Sequence, residues 1–253
     1  MTAPTPAPLG TGAHPINSIA VAANDLAASR AFYSAVFGWK FFDVSPEIAT
    51  TALASGPVVT LRAGTPPGFQ GVVPFLAVPN VEQALSRIAA AGGATEHEPW
   101  QVPMAGTLAR FTDPAGTIYG LMGAMPAPLP PIPAPFGDAP RPPANTVCSL
   151  EMHAGDLDVA GRFFGDVFGW GTQAMMPQFL TFHPGAGIGG VFQSHTAAAR
   201  GVAYIYVDDV EGSVAAIERA GGMRMGDPMR MPGLACFGYF RDPSGTMMGL
   251  MGV

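Results

Sequence analysis

The sequence predicts an α+β chain of two tandem domains, each built from two β-α-β-β-β units. Three observations carry that reading. Asp25-Leu26 … Phe37-Gly38-Trp39 returns as Asp156-Leu157 … Phe168-Gly169-Trp170, 131 residues later. Asp113-Pro114-Ala115-Gly116-Thr117 … Gly120-Leu121-Met122-Gly123 returns as Asp242-Pro243-Ser244-Gly245-Thr246 … Gly249-Leu250-Met251-Gly252, 129 residues later. A weaker repeat lies inside each half: Asp25 to Gly38, Asn80 to Gly93, Asp156 to Gly169 and Asp209 to Gly222 all span 13 residues. Self-similarity on these scales marks repeated structural units.

Each unit opens with a short apolar run: SIAVAA, PFLAV, SLEMH and AYIYV. Asp25, Asn80, Asp156 and Asp209 follow, where a side-chain oxygen would cap the next helix. About a dozen residues with helical spacing come next. Leu26, Tyr33 and Phe37 share one stripe, as do Val210, Val214 and Ile217. Gly38, Gly93, Gly169 and Gly222 are expected to stop the helices with positive φ. Short strand-like runs complete each unit. The boundaries read as a flexible tail over 1–15, a first domain over 16–124 with modules 16–66 and 71–124, a proline-rich linker over 125–145, and a second domain over 146–253 with modules 146–194 and 200–252. Proline at the linker's density excludes regular helix and central strand.

Composition narrows the function classes. The 253 residues include 33 glycines and 27 prolines, close to a quarter of the chain, but 48% are hydrophobic, which argues against disorder. No apolar run approaches a membrane span. The first residues, MTAPTPAPLGTGAHP, lack the basic and apolar regions of a signal peptide, so the expected compartment is the cytoplasm. A net charge of −6 gives no basic footprint for nucleic acid. Cys148 and Cys236 read as small buried hydrophobes without disulfide or metal spacing.

Asp25-Leu26 … Phe32-Tyr33 … Phe37-Gly38-Trp39 and Arg110-Phe111-Thr112-Asp113-Pro114-Ala115-Gly116 resemble the vicinal oxygen chelate superfamily, which includes glyoxalase I, extradiol dioxygenases and bleomycin-resistance proteins. The second copies, Asp156-Leu157 … Phe163-Phe164 … Phe168-Gly169-Trp170 and Asp242-Pro243-Ser244-Gly245, carry the same likeness. The resemblance implies glyoxalase-like domains whose paired βαβββ modules form a curved mixed-sheet cup around a ligand. It also implies, for metal-dependent members, a His seven residues before the helix-capping Asp and a Glu seven residues after the Asp of the Asp-Pro-x-Gly turn. Here those places hold Ser18, Ser149, Gly120 and Gly249, with Val73 and Val202 at the corresponding first-strand positions of the second modules. The expectation is therefore no metal ligands and no cofactor.

Strand alternation puts Ser149, Glu151 and His153 on one face, and Ser18, Ala20 and Ala22 on its counterpart. The first cup then reads as small and apolar at its floor. The second presents a carboxylate and an imidazole. Met247, Gly249 and Met251 share parity on the last strand, as do Gly120 and Met122 in the first half; Tyr204 and Tyr206 share parity with Val202. Trp100 reads as part of a loop, either over the mouth of the first cup or as an ordinary surface anchor, and the segment with Met229, Arg230 and Met231 as its counterpart.

The reading that follows is metal-independent binding of a small, largely apolar or aromatic molecule, the partner expected of such cups, by a monomeric pseudo-dimer or a homodimer. The alternatives are a metal-independent lyase, isomerase or cyclase using Glu151 as base with His153 or Tyr204, and a metal-dependent glyoxalase-like lyase or dioxygenase. A relocated metal site would draw on Glu151, His153 and His183.

Overall fold

The computed structural model describes residues 13–51, 56–64, 71–102, 106–123, 141–195, 199–233 and 235–252. The first twelve residues of the expected tail and most of the expected linker lie outside these. In the first half the order is β1 (Ile16–Ala22), α1 (Leu26–Phe37), β2 (Phe41–Ser45), β3 (Ile48–Thr51), β4 (Val58–Arg62), β5 (Val72–Val78), α2 (Val81–Ala90), β6 (Ala94–Val102), β7 (Gly106–Thr112) and β8 (Ile118–Gly123). The second half follows with β9 (Thr146–His153), α3 (Leu157–Phe168), β10 (Gly171–Met176), β11 (Phe179–His183), β12 (Gly190–Gln193), β13 (Gly201–Tyr206), α4 (Val210–Arg219), β14 (Met223–Arg224), β15 (Met229–Met231), β16 (Ala235–Arg241) and β17 (Met247–Gly252). The fourth module thus carries one short strand, β15, beyond the expected pattern.

Each half is one mixed sheet, ordered β2-β3-β4-β1-β5-β8-β7-β6 and β10-β11-β12-β9-β13-β17-β16-β14, with β15 on β16. The modules meet antiparallel at β1/β5 and β9/β13. One face of every central strand feeds a single apolar core; the other faces the cup.

The helices start as the capping residues require. Asp25 accepts from the Ala28 N–H at 2.9 Å and Asp156 from Val159 at 2.9 Å. Gly38 and Gly169 end α1 and α3 at φ 69°. In α2 and α4 the left-handed residue is Gly92 or Gly221, one place before the expected Gly93 and Gly222. Those two glycines answer a different constraint. A Cβ on Gly93 would lie 2.6 Å from the Thr112 carbonyl oxygen and 3.1 Å from Phe163 of the other half. One on Gly222 would lie 2.9 Å from Phe32, again across the halves.

The core belongs to both halves at once. Helix α1 packs on α4, and α2 on α3. Tyr33 stacks on Trp39 at 5.2 Å, and Phe164 on Trp170 at 4.8 Å. Each tryptophan then reaches the segment entering the other half's first strand: Trp39 Nε1 donates to the Asn145 carbonyl at 2.7 Å, and Trp170 Nε1 to the His14 carbonyl at 3.1 Å. His14, within the stretch expected to be tail, is only 2% exposed. The Asp-Pro-x-Gly turns also cross. Thr117 Oγ1 donates to the His153 carbonyl at 2.9 Å and Thr246 Oγ1 to the Ala22 carbonyl at 3.3 Å. No helix among the described residues is long and apolar enough to cross a membrane.

Asp113 and Asp242 tie the turns. Asp113 accepts from the N–H groups of Ala115 and Thr117 at 2.9 and 2.8 Å. Asp242 accepts from Ser244 and Thr246, and from the Tyr33 hydroxyl of the other half at 3.0 Å. Burial raises the pKa of both, that of Asp113 to about 6 against the backbone donors that favour its ionised form. A carboxyl whose folded pKa is raised contributes stability while protonated, and that contribution is lost as pH climbs from 3.8 through about 6. Asp113→Asn keeps the accepting oxygen and stays neutral. Urea unfolding should show it gaining about 2 kcal/mol on the wild type between pH 4 and pH 7. A pH-independent difference would contradict this.

Candidate functional site

Strand alternation sorts the second cup from the core. Leu150 and Met152 of β9 join the core, leaving Ser149, Glu151 and His153 half-buried on the opposite face. The register sets Ser149 beside Tyr204 and Tyr204 beside Gly249. In the first half the same row is Ser18, Phe75 and Gly120. Val73 and Val202 stand two residues along, opposite Ala20 and Glu151. Position 204 rather than 202 therefore shares a level with the first- and last-strand positions.

Tyr204 organises this cup. Its ring lies over Gly249, so any Cβ there would collide with it. Its hydroxyl donates to Glu151 Oε2 at 2.8 Å and lies 2.5 Å from the Tyr239 hydroxyl. A phenol has one proton. With the Tyr204 proton committed to Glu151, Tyr239 donates to Tyr204, and the relay runs Tyr239 to Tyr204 to Glu151. Burial, followed by the Glu151 charge, raises the pKa of Tyr204 far above its ordinary value and that of Tyr239 in the same direction. Both phenols are neutral donors at physiological pH.

Around the relay the wall is apolar: Cys148, Val202, Tyr206, Ala235 and Met251 are buried, with Phe237 and Met247 partly so. Burial raises the Cys148 thiol pKa, and its Sγ faces the Tyr204 carbonyl at 3.4 Å, an arrangement without an activating base. His153 does not bond to Glu151. Its Nδ1 and Gln193 Oε1, on paired residues of β9 and β12, are buried without hydrogen-bond partners among the described residues. The Tyr206 hydroxyl is buried in the same condition.

Several placements differ from expectation. Trp100 lies on strand β6, not in a loop. The β6/β7 ladder slips at Thr95/His97 and His97/Trp100, which gives this Pro-containing segment its loop-like sequence. Trp100 packs at the first cup's edge with Val102, Ile118 and Met122, and meets His97 edge-on at 4.7 Å. Met229–Met231 is likewise a strand, and Arg230 pairs outward with Glu211 at 3.0 Å. His183 is exposed on β11, with β12 between it and Glu151.

The first cup is not simply apolar. Ala20, Ala22, Val73, Phe75 and Leu108 form a greasy floor. Beside it runs a ladder of hydroxyls, Ser18 to Thr60 at 3.4 Å and Thr60 to Thr50 at 3.2 Å. Arg62 and Arg110 share this face, because their neighbours Leu61 and Phe111 point into the core. Sequence reading passed over Arg62, Arg110 and Tyr239. The signal was available: Arg110 and Tyr239 each stand three residues before the turn Asp, and the hairpin sets them opposite Gly120 and Gly249.

Residues 15–118 match the family model of the Glyoxalase/Bleomycin resistance protein/Dioxygenase superfamily. The Mycobacterium tuberculosis protein named "Putative glyoxylase CFP32" is 24% identical over 251 residues, covering 93% of either chain. Among solved structures, the Mn(II)-bound glyoxalase from Novosphingobium aromaticivorans aligns with TM-score 0.64 and 18% identity, over 95% of this chain and 82% of that one. The 2,3-dioxygenase LapB from Pseudomonas sp. KL28 aligns with TM-score 0.64 and 13% identity, over 93% and 90%. These two likenesses establish the fold.

The metal that such relatives imply does not fit here. A divalent ion needs several His, carboxylate or thiolate donors converging on one point. The second row supplies a serine hydroxyl and a phenol already bonded to Glu151. A glutamate at 249 would have to displace the Tyr204 ring, and one at 120 the Phe75 ring. Among the described residues no three His, Cys, Asp or Glu side chains group to hold a metal, Glu151, His153 and His183 included.

The glycine and the ring are therefore one unit. Gly249→Ala should lose about 1–3 kcal/mol in denaturant unfolding through overpacking. Adding Tyr204→Leu should recover part of that loss. Additive losses in the double variant would contradict the assignment.

Proposed function

We propose that the chain is a member of the Glyoxalase/Bleomycin resistance protein/Dioxygenase superfamily, whose model matches residues 15–118, and that its second cup binds a small, largely apolar or aromatic molecule without a metal. The observation that carries this reading is the Tyr204 ring seated over Gly249, in the row where a metal site would need donors. Apolar walls with a few convergent polar groups are the ordinary make-up of a small-molecule site. Phe237, Met247, Met251 and Val202 supply the walls. Met adapts to irregular and aromatic shapes. Glu151 and Tyr239, at either end of the relay, would orient a polar group of the ligand.

The test is a fluorescence titration with N-phenyl-1-naphthylamine, a neutral aromatic probe. Saturable binding should be unchanged by excess EDTA. Met247→Lys, which places a charge in the second cup, should weaken it at least about tenfold. Ile118→Lys, at the equivalent place in the first cup, should leave it in place. Binding that requires added metal, or that ignores Met247→Lys, would overturn the reading.

The relay also supports a second reading, general acid–base catalysis on the bound molecule: Glu151 takes a proton from it, Tyr239 returns one to it, and Tyr204 carries the proton from Glu151 back to Tyr239. Under that reading, Glu151→Gln abolishes turnover of a substrate while probe affinity stays within about threefold. Unchanged turnover in that variant would exclude Glu151 as the base.

A further inference from the structure

We propose that the first cup is a separate site for an aromatic carboxylate, with Arg62 and Arg110 taking the carboxylate and the apolar floor taking the ring. The evidence is the chemistry that replaces the second cup's at equivalent positions. Where the second cup has Glu151, His153, Gln193, Tyr204 and Tyr239, the first has Ala20, Ala22, Arg62, Phe75 and Arg110. The carboxylate of the first strand is gone and two guanidiniums have appeared. Ala20 and Ala22 leave room beside Arg62, which pairs with Ala22 across β4 and β1.

The two arginines are not equivalent. Arg110 is 3% exposed and held side-on by Glu96, Nε to Oε2 at 2.6 Å and Nη2 to Oε1 at 3.3 Å. That ion pair fixes the guanidinium plane. Arg62 is half-buried and forms no ion pair within 4.0 Å among the described residues, with Glu47 acting on it only at longer range. Burial lowers its pKa, and the charge of Arg110 on the same face lowers it further. Glu96 already balances Arg110, so Arg62 is the half-buried cation of this face with no ion pair within 4.0 Å among the described residues, and an anion entering the cup would supply its partner. A carboxylate matches the planar guanidinium fork, which a point charge would not.

The rest of the cup favours an apolar body on that anion. Phe75, Leu108 and Val73 are buried in the floor, with Trp100 at the edge. The Ser18, Thr60 and Thr50 hydroxyls line one side with donors and acceptors suited to a ring substituent or a second oxygen. None of these groups belongs to the Tyr204 relay, so this site stands whether or not the second cup binds its proposed ligand.

Isothermal titration of the full chain at low ionic strength, with sodium benzoate as probe, tests this. Benzoate should bind at one site per chain, at least about tenfold tighter than neutral benzamide. Arg62→Gln should weaken benzoate at least about tenfold and leave benzamide unaffected, while Arg62→Lys, which keeps the charge without the fork, should fall between. Arg224→Gln, a change in an exposed surface pair, should have no effect. Thermal unfolding of each variant checks that the fold is retained. Equal binding of benzoate and benzamide would overturn the proposal, as would benzoate affinity unchanged in a folded Arg62→Gln variant. So would phosphate or chloride binding as tightly as benzoate.

Discussion

The structure depends on one reciprocal contact: each half's Asp-Pro-x-Gly-Thr turn docks on the end of the other half's first strand. Thr117 reaches the His153 carbonyl and Thr246 the Ala22 carbonyl. A single curved sheet with two helices on one face cannot bury that face alone. The second half supplies the cover. Phe163 meets Gly93 and Phe32 meets Gly222 in a core that draws residues from both halves. Trp39 and Trp170 then fix the chain entering the opposite half. The most recognisable motifs, Phe-Gly-Trp and Asp-Pro-x-Gly, thus serve the contact between the halves rather than the cups.

That division of labour explains how the cups could diverge. Their residues point away from the shared core, so exchanging Glu151 for Ala20 or Tyr239 for Arg110 leaves the packing of the helices untouched. The central row keeps its geometry in both halves: an aromatic ring over a glycine, Phe75 on Gly120 and Tyr204 on Gly249. The polar groups around that row differ in kind. One cup carries a carboxylate bonded to neutral phenols, the other two guanidiniums beside a hydroxyl ladder.

Much of the fold was legible because it is local and repeated. The capping aspartates, the alternation of β9 and β13, and the glycines after α1 and α3 act within a few residues of themselves. Gly93 and Gly222 misled for the opposite reason: their neighbours Phe163 and Phe32 lie in the other half, beyond any local pattern. Trp100 misled because a bulged strand containing Pro99 has the composition of a loop. In the sites, parity sufficed to put Ser149, Glu151 and His153 on one face. It could not pair Glu151 with Tyr204 instead of His153, since that choice depends on the register between β9 and β13. Tyr239 and the two arginines needed the hairpin register as well.

The central claim is that an aromatic ring has taken the place of metal donors in both cups. Elemental analysis of the protein, expressed in medium supplemented with Mn, Fe, Ni and Zn and passed through gel filtration without chelator, tests it most directly. The account predicts far less than one equivalent of any of these metals per chain. One full equivalent retained through gel filtration and displaced on replacing Ser149 or Tyr204 would contradict it.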